Sequence, residues 1–442
     1  MCVVANTERI YMQFIFLKVD WIILTALSLL SFVAFISTSN IFSIVCLTIL
    51  FLLSLIKFRY ALFFYASMLP VWNLVGGVMV ALGASYILIG VFLARLIASK
   101  ESLLAKPYLS FIFIVLFFVL LGTLTSGYYE YLNTTLIFIS VSFVSYIFAN
   151  QVIKNEKNLH YIGMGLIAAA LIAFIVSFVA SGGEFRRLTL GGLKGYEGGS
   201  VRQLANILGV SLVLLPLFFK RLNDSRYSSV VVRPLFYALT MFLLIGLVLT
   251  SSRGVILAVV LSIIVYFFSA NKVSIKNSFF ILISLISAYF VFNILISWLE
   301  VSNSLSLTEE RFNNEAIEGG LGSRLRIWGA GLSNMSAANY LFGHGLASFR
   351  FLALQSGVDY YSHSVFVAIL TDTGLIPFSL LLILLARIAL NIKCNKTFIA
   401  LPILIYAVVS HASHGGTNST YFWLLLAIAY AVSGSKNLQQ NQ

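Results

Sequence analysis

The chain has 442 residues, 60% of them apolar and only 10% charged, with a mean hydropathy of +0.99. That composition excludes a soluble globular protein. The net charge of +13 is the ordinary loop excess of Lys and Arg in a membrane protein and does not imply a nucleic-acid partner.

Apolar runs of spanning length recur from end to end, so the predicted fold is an all-α polytopic membrane protein with about 12–14 transmembrane helices. In chain order the predicted spans are 21–37, 41–56, 60–73, 77–98, 109–123, 132–149, 161–180, 204–219, 235–251, 254–269, 278–298, 363–386, 398–413 and 420–434. Residues 1–442 read as a single polytopic domain, with the first span an uncleaved helix rather than a signal peptide. The three cysteines (Cys2, Cys46 and Cys394) fall on the inner side or within a span, and no disulfide is expected.

With the N-terminus inside, most Lys and Arg residues fall in inner loops, as the positive-inside rule requires. Those left outside are Arg186, Arg187, Arg202, Arg253, Arg311, Arg324, Arg326 and Arg350, with Lys194 as the one lysine. Arginine binds phosphate oxygens through a planar fork and stays charged when partly desolvated. Two outer loops have room for a site, 181–203 and the large late loop 299–362. The first is rich in glycine, which lets backbone N–H groups approach an anion; a flexible hairpin between spans is the plainer reading.

A third element is the break Thr250-Ser251-Ser252-Arg253-Gly254 inside a long apolar run. Read as a minimal outer turn, it puts Arg253 at the membrane boundary, either as a functional charge or as an arginine reaching headgroups. In the late loop, Ser306 to Arg311 reads as a capped surface helix, and a second helix is predicted from Ser323 to about Ala338. On that helix Arg324 and Trp328 share a face at i, i+4, and Arg326 points roughly the other way, so Arg324 is the arginine expected to face a site. Phe342-Gly343-His344-Gly345 reads as a turn, which leaves His344 either a turn residue or a sugar contact. His363 opens the next span, and Tyr360 and Tyr361 beside it are interfacial belt or sugar platform.

Asp372 lies nine residues into that span, on the face opposite His363, and suits a helix cap or an ion pair as well as catalysis. His411 and His414 stand at i, i+3 near an outer helix end. No carboxylate or cysteine joins them in sequence, so a structural or acceptor-binding role is expected and no metal site is.

Three motifs in this order carry a family resemblance. They are Ser252-Arg253-Gly254 before an apolar helix, Arg324-x-x-x-Trp328 followed by Gly343-His344-Gly345, and His363-Ser364 opening a helix that carries Asp372-Thr373-Gly374. Together they resemble the O-antigen ligase and O-antigen polymerase superfamily, and the large late periplasmic loop is similar to that of C-type glycosyltransferases. The resemblance implies a glycosyltransferase using an undecaprenyl-pyrophosphate-linked donor at the periplasmic face of the bacterial inner membrane. It implies pyrophosphate binding by Arg253, Arg324 and Arg187, and His363 as catalytic base. Possible substrate contacts are Arg186, His344, Tyr361, His411 and His414. No cofactor is expected. Expected partners are lipid-linked glycans, membrane lipids, a chain-length regulator and a flippase. Ser364 stands where the ligase branch often has asparagine nearby, which tilts the reading toward polymerase over ligase. A transporter or flippase is the rival from another class.

Overall fold

The computed structural model describes residues 20, 22–34, 40–75, 77–98, 100–126, 132–181, 201–224, 229–250, 252–269, 321–395, 397, 399–412, 415–416 and 419–434. Among these residues every regular element is a helix. In chain order they are α1 (Ile22–Ala34), α2 (Asn40–Ile56), α3 (Phe58–Val75), α4 (Gly77–Ile97), α5 (Lys106–Ser126) and α6 (Leu132–Lys154). Next come α7 (Lys157–Ala180), α8 (Val201–Asp224), α9 (Ser229–Leu249), α10 (Arg253–Ser269), α11 (Leu321–Ser333) and α12 (Ala337–Phe342). The last are α13 (Phe349–Gln355), α14 (Val365–Thr373), α15 (Leu375–Asn395), α16 (Ala400–Ala412) and α17 (Thr420–Gly434).

Among the described residues, five stretches are long and apolar enough to cross a bilayer: Met79–Ile97, Lys106–Leu124, Thr134–Lys154, Lys157–Ala180 and Leu375–Asn395. The protein is thus an all-α polytopic membrane protein. Its apolar content is not all core. Ile41, Ile44, Phe113, Phe117, Ile383 and Leu390 stay exposed on α2, α5 and α15, as residues that face lipid do.

The central packing runs through α3 against α7, α7 against α8, α10 against α16, and α6 against α17. Small residues permit the tightest approaches. At Gly209 on α8, an added Cβ would collide with the Tyr406 hydroxyl of α16 and with Val255 of α10, so three helices share one crossing there.

Two expectations need correction. The predicted span 363–386 is two helices, α14 and α15, separated at Gly374, whose φ of +84° only glycine adopts readily. The apolar pattern runs through the break without a gap, so hydropathy alone does not register it. The predicted helix from Ser323 to Ala338 ends earlier, at Ser333, and Ser336 caps a separate short α12 by accepting from Asn339 N. The predicted span 278–298 and the capped helix at 306–311 lie outside the described residues.

Candidate functional site

The site is built at the end of the bundle where α8 and α10 begin, called here the site end. Arg253 is the first residue of α10, behind a turn closed by Thr250 Oγ1 donating to Leu247 O at 2.6 Å. Ser252 O accepts from Ile256 N at 3.0 Å and so begins the helical ladder. The helix macrodipole at this terminus adds positive potential to the guanidinium.

Arg324 sits on α11, half-buried, whereas Arg326 is exposed. This is the facing expected from the i, i+4 pairing with Trp328. Burial, and then the charge of Arg253, push the Arg324 pKa below its usual value. Two cations more than seventy positions apart in the chain are thereby close enough to repel. Among the described residues Arg324 has no hydrogen bond or ion pair to an acid.

What holds α11 there is local packing. Ile327 forms a small core with Phe349 and Ala353, with Trp328, Val358 and Val367 against it. Asn334 Nδ2 donates to Ala330 O, Leu352 O and Ser356 Oγ at 2.9, 2.8 and 2.7 Å, which ties the end of α11 to α13. Trp328 Nε1 donates to Ser362 O at 2.6 Å. The tryptophan one turn beyond Arg324 therefore grips the residue immediately before His363.

His363 is half-buried between two buried serines and has a φ of +52°. Histidine visits this left-handed region more often than most residues, but at a cost of about 1–3 kcal/mol. The flanking hydrogen bonds hold it there. Ser362 Oγ donates to Ser364 O at 3.1 Å, and Ser364 caps α14 by accepting from Val367 N.

His344 lies in a turn between Gly343 and Gly345, both at positive φ. Its backbone N donates to Thr371 O at 2.8 Å, and Gly345 N donates to Asp372 O at 3.1 Å. Its Nδ1 accepts from Asn339 Nδ2 at 2.7 Å, and its ring stacks on Phe351. Burial lowers its pKa. A Cβ on Gly343 would strike the Asp372 and Thr373 backbone, and one on Gly374 would strike Leu341 and Gly343, so turn and helix break lie backbone to backbone. Asp372 is buried beside this contact and accepts from Ser348 Oγ at 3.2 Å.

Tyr361 is exposed, with the Arg350 guanidinium 5.3 Å from its ring centre and Arg350 paired to Asp359. His411 is fully buried near the end of α16, against Phe422 of α17. Arg186, Arg187 and His414 lie outside the described residues. The arrangement brings Arg253 near Arg324, ties the Arg324 helix to the residue before His363 through Trp328, and sets His344 in the turn against α14.

Sequence reasoning gave no role to Asn206 or Asn339 and named Ser252 only within the turn that carries Arg253. Asn206 carried a usable signal, a polar amide in an otherwise apolar stretch near a membrane boundary. Asn339 gave none, because its partner His344 is fixed by the turn rather than by spacing.

Residues 238–382 match a family model described as O-antigen ligase. The match covers about a third of the chain, and that stretch is similar to the O-antigen ligase family. This supports the O-antigen ligase and polymerase superfamily, whose members are glycosyltransferase-like enzymes. The matched segment contains Arg253, Arg324, His344, His363 and Asp372 and stops before His411. No curated protein and no solved structure matches the chain.

Proposed function

We propose that the protein polymerises undecaprenyl-pyrophosphate-linked oligosaccharide repeat units at the periplasmic face of the bacterial inner membrane. The observation that carries this reading is the convergence of Arg253 and Arg324, which leaves two repelling cations at a helix N-terminus. A diphosphate relieves that repulsion and offers acceptor oxygens to a guanidinium fork. Arg187 would join them from the glycine-rich loop.

The growing chain is the donor and a single lipid-linked repeat unit is the acceptor. His363 takes the proton of an acceptor hydroxyl, whose oxygen forms a bond to the anomeric carbon. The carbon–oxygen bond to the phosphate breaks, and undecaprenyl pyrophosphate leaves with the electron pair. No carboxylate nucleophile is invoked, so the anomeric centre inverts. The arginines act most where charge grows on the departing phosphate.

A ligase that passes the glycan to lipid A–core uses the same donor chemistry, and the description of the matched family model favours it as the second reading. Cells lacking the protein decide between them when complemented with wild type, Arg324→Ala or His363→Ala. A polymerase null keeps single repeat units on its core and loses the long ladder. A ligase null shows bare core while polymer accumulates on the carrier lipid. Both variants should fail to restore the pattern at normal expression, and a normal glycan in the null returns the transporter to first place.

A further inference from the structure

Arg350 reads from the sequence as an outer arginine, yet it takes no part in the proposed site. It is the second residue of α13, which ends at Gln355. Just beyond, Gly357 takes a φ of +74° and its N donates to Leu354 O at 2.8 Å. Val358 N donates back to Ala353 O at 3.1 Å, and Val358 packs on the small core of Ile327, Phe349 and Ala353. The chain therefore doubles back at the end of α13. Residues 358–364 form no helix and lead into α14 through the His363 turn.

Arg350 grips this returning segment at two points. Its Nε and Nη2 donate to the two carboxylate oxygens of Asp359, the second at 2.8 Å. Its Nη1 donates to Tyr361 Oη at 3.4 Å, and its Cζ lies 5.3 Å from the tyrosine ring centre. The fork that could take a phosphate is thus filled from within the protein, and an anion would have to displace the carboxylate. Arg324, by contrast, has no acid partner among the described residues.

The reason for a grip here is the strained backbone at His363, with its φ of +52°. Such a conformation persists only where the surroundings over-determine it. Trp328 holds Ser362 O from α11, and the Ser364 cap fixes the start of α14. Arg350 adds a third hold, from α13. Tyr361 precedes His363 by two residues, so at most about 7 Å of chain separates their Cα atoms. A displacement of Tyr361 is passed on to the histidine.

We infer that Arg350 is a positioning residue: with Asp359 as its counter-ion it clamps the approach to the His363 turn and so aims the base, without touching the pyrophosphate. The inference rests on the proposed function, because it acts through the role of His363 as base. An exposed ion pair adds little to stability, so rate and stability should come apart when this one is removed.

The test is glycan transfer by the purified full chain in detergent, with an undecaprenyl-pyrophosphate-linked repeat unit as donor and acceptor. Binding of bare undecaprenyl pyrophosphate, melting temperature and amide hydrogen exchange over residues 357–364 are measured beside it. Arg350→Ala should lower kcat about tenfold, within the range of a small misplacement of a reacting group. Exchange over the segment should rise, while bare-lipid affinity and melting temperature stay at the wild-type values. Asp359→Asn should do nearly the same, and it serves if Arg350→Ala fails to fold. The double variant should lose no more than either single one, because both break one clamp. Arg350→Lys, a single ammonium in place of a fork, should recover only part of the rate.

Weaker bare-lipid binding in Arg350→Ala would make the arginine a phosphate ligand and overturn the inference. So would an unchanged kcat, unchanged exchange, a fall in melting temperature that accounts for the lost rate, or losses that multiply in the double variant. His363→Ala is read separately: transfer as fast as wild type sinks the base reading itself. The exchange measurement needs no turnover, so it still decides whether Arg350 clamps the segment.

Discussion

Two groups of charges at opposite ends of the helix bundle are held in different ways. At the end where α7 begins, two carboxylates gather several partners each. Asp20 accepts from Arg59, Tyr60 and Tyr161, and the Arg59 guanidinium lies over both tyrosine rings. The buried Glu101 carboxylate accepts from Arg95, Lys154 and Gln151 at 3.1, 2.8 and 3.1 Å. Burial alone would raise its pKa, but those three partners outweigh it and hold the value below the ordinary one. At the site end, Arg324 faces Arg253 instead of an acid. Acids neutralise the cations within the fold at the first end, whereas Arg324 has no acid partner among the described residues.

The largest effect should come from breaking the repelling pair. Arg324→Ala is expected to lower glycan transfer by about 10²–10³-fold, the usual loss for one transition-state donor, with thermal stability kept or slightly raised because a repulsion is removed. Initial rates and melting curves on the same preparation check both halves. The mirror experiment is Glu101→Gln, which strands Arg95 and Lys154. It should cost about 2 kcal/mol, less than a fully buried pair because both cations are partly exposed, and leave the rate per folded molecule unchanged. A rate loss in Glu101→Gln without a stability loss would break the contrast between the ends.

Between these extremes lies Trp328, whose indole joins the Arg324 helix to the His363 turn. Trp328→Phe keeps the ring packing and deletes the Nε1 bond to Ser362 O, for about 1 kcal/mol of stability. If that bond aligns His363 with Arg324, kcat should fall several-fold while donor affinity stays constant.

The smallest effect concerns pH. Burial holds the folded pKa of His344 below its ordinary value, so the unfolded chain binds a proton that the folded chain resists. The contribution is whole above the unfolded value of about 6.5 and is lost as pH falls below it toward the folded pKa. Replacing His344 by Gln should flatten the acid side of a stability–pH curve, measured by urea or thermal unfolding at successive pH values.

Much of this was legible in the sequence because membrane helices announce themselves by hydropathy. Nearly every predicted span in the described residues has its helix, and the turn before Arg253 was visible as the single polar interruption in a long apolar run. The facing of Arg324 against Arg326 followed from helical geometry. The division at Gly374 was hidden, because Thr373, Gly374 and Leu375 do not disturb an apolar average, and a glycine's φ is decided by what packs on it.

The short α14 sets a mechanical condition on the whole site. It runs nine residues, about 13.5 Å, from the His363 turn to a break clamped against the Gly343 turn. It behaves as a spacer of fixed height and fixed rotation. One inserted residue would swing the histidine by about 100° around the axis, and a whole added turn would restore its bearing but lift it roughly 5.4 Å away from the arginines. The length of this one helix therefore sets the height of His363 above the clamped break.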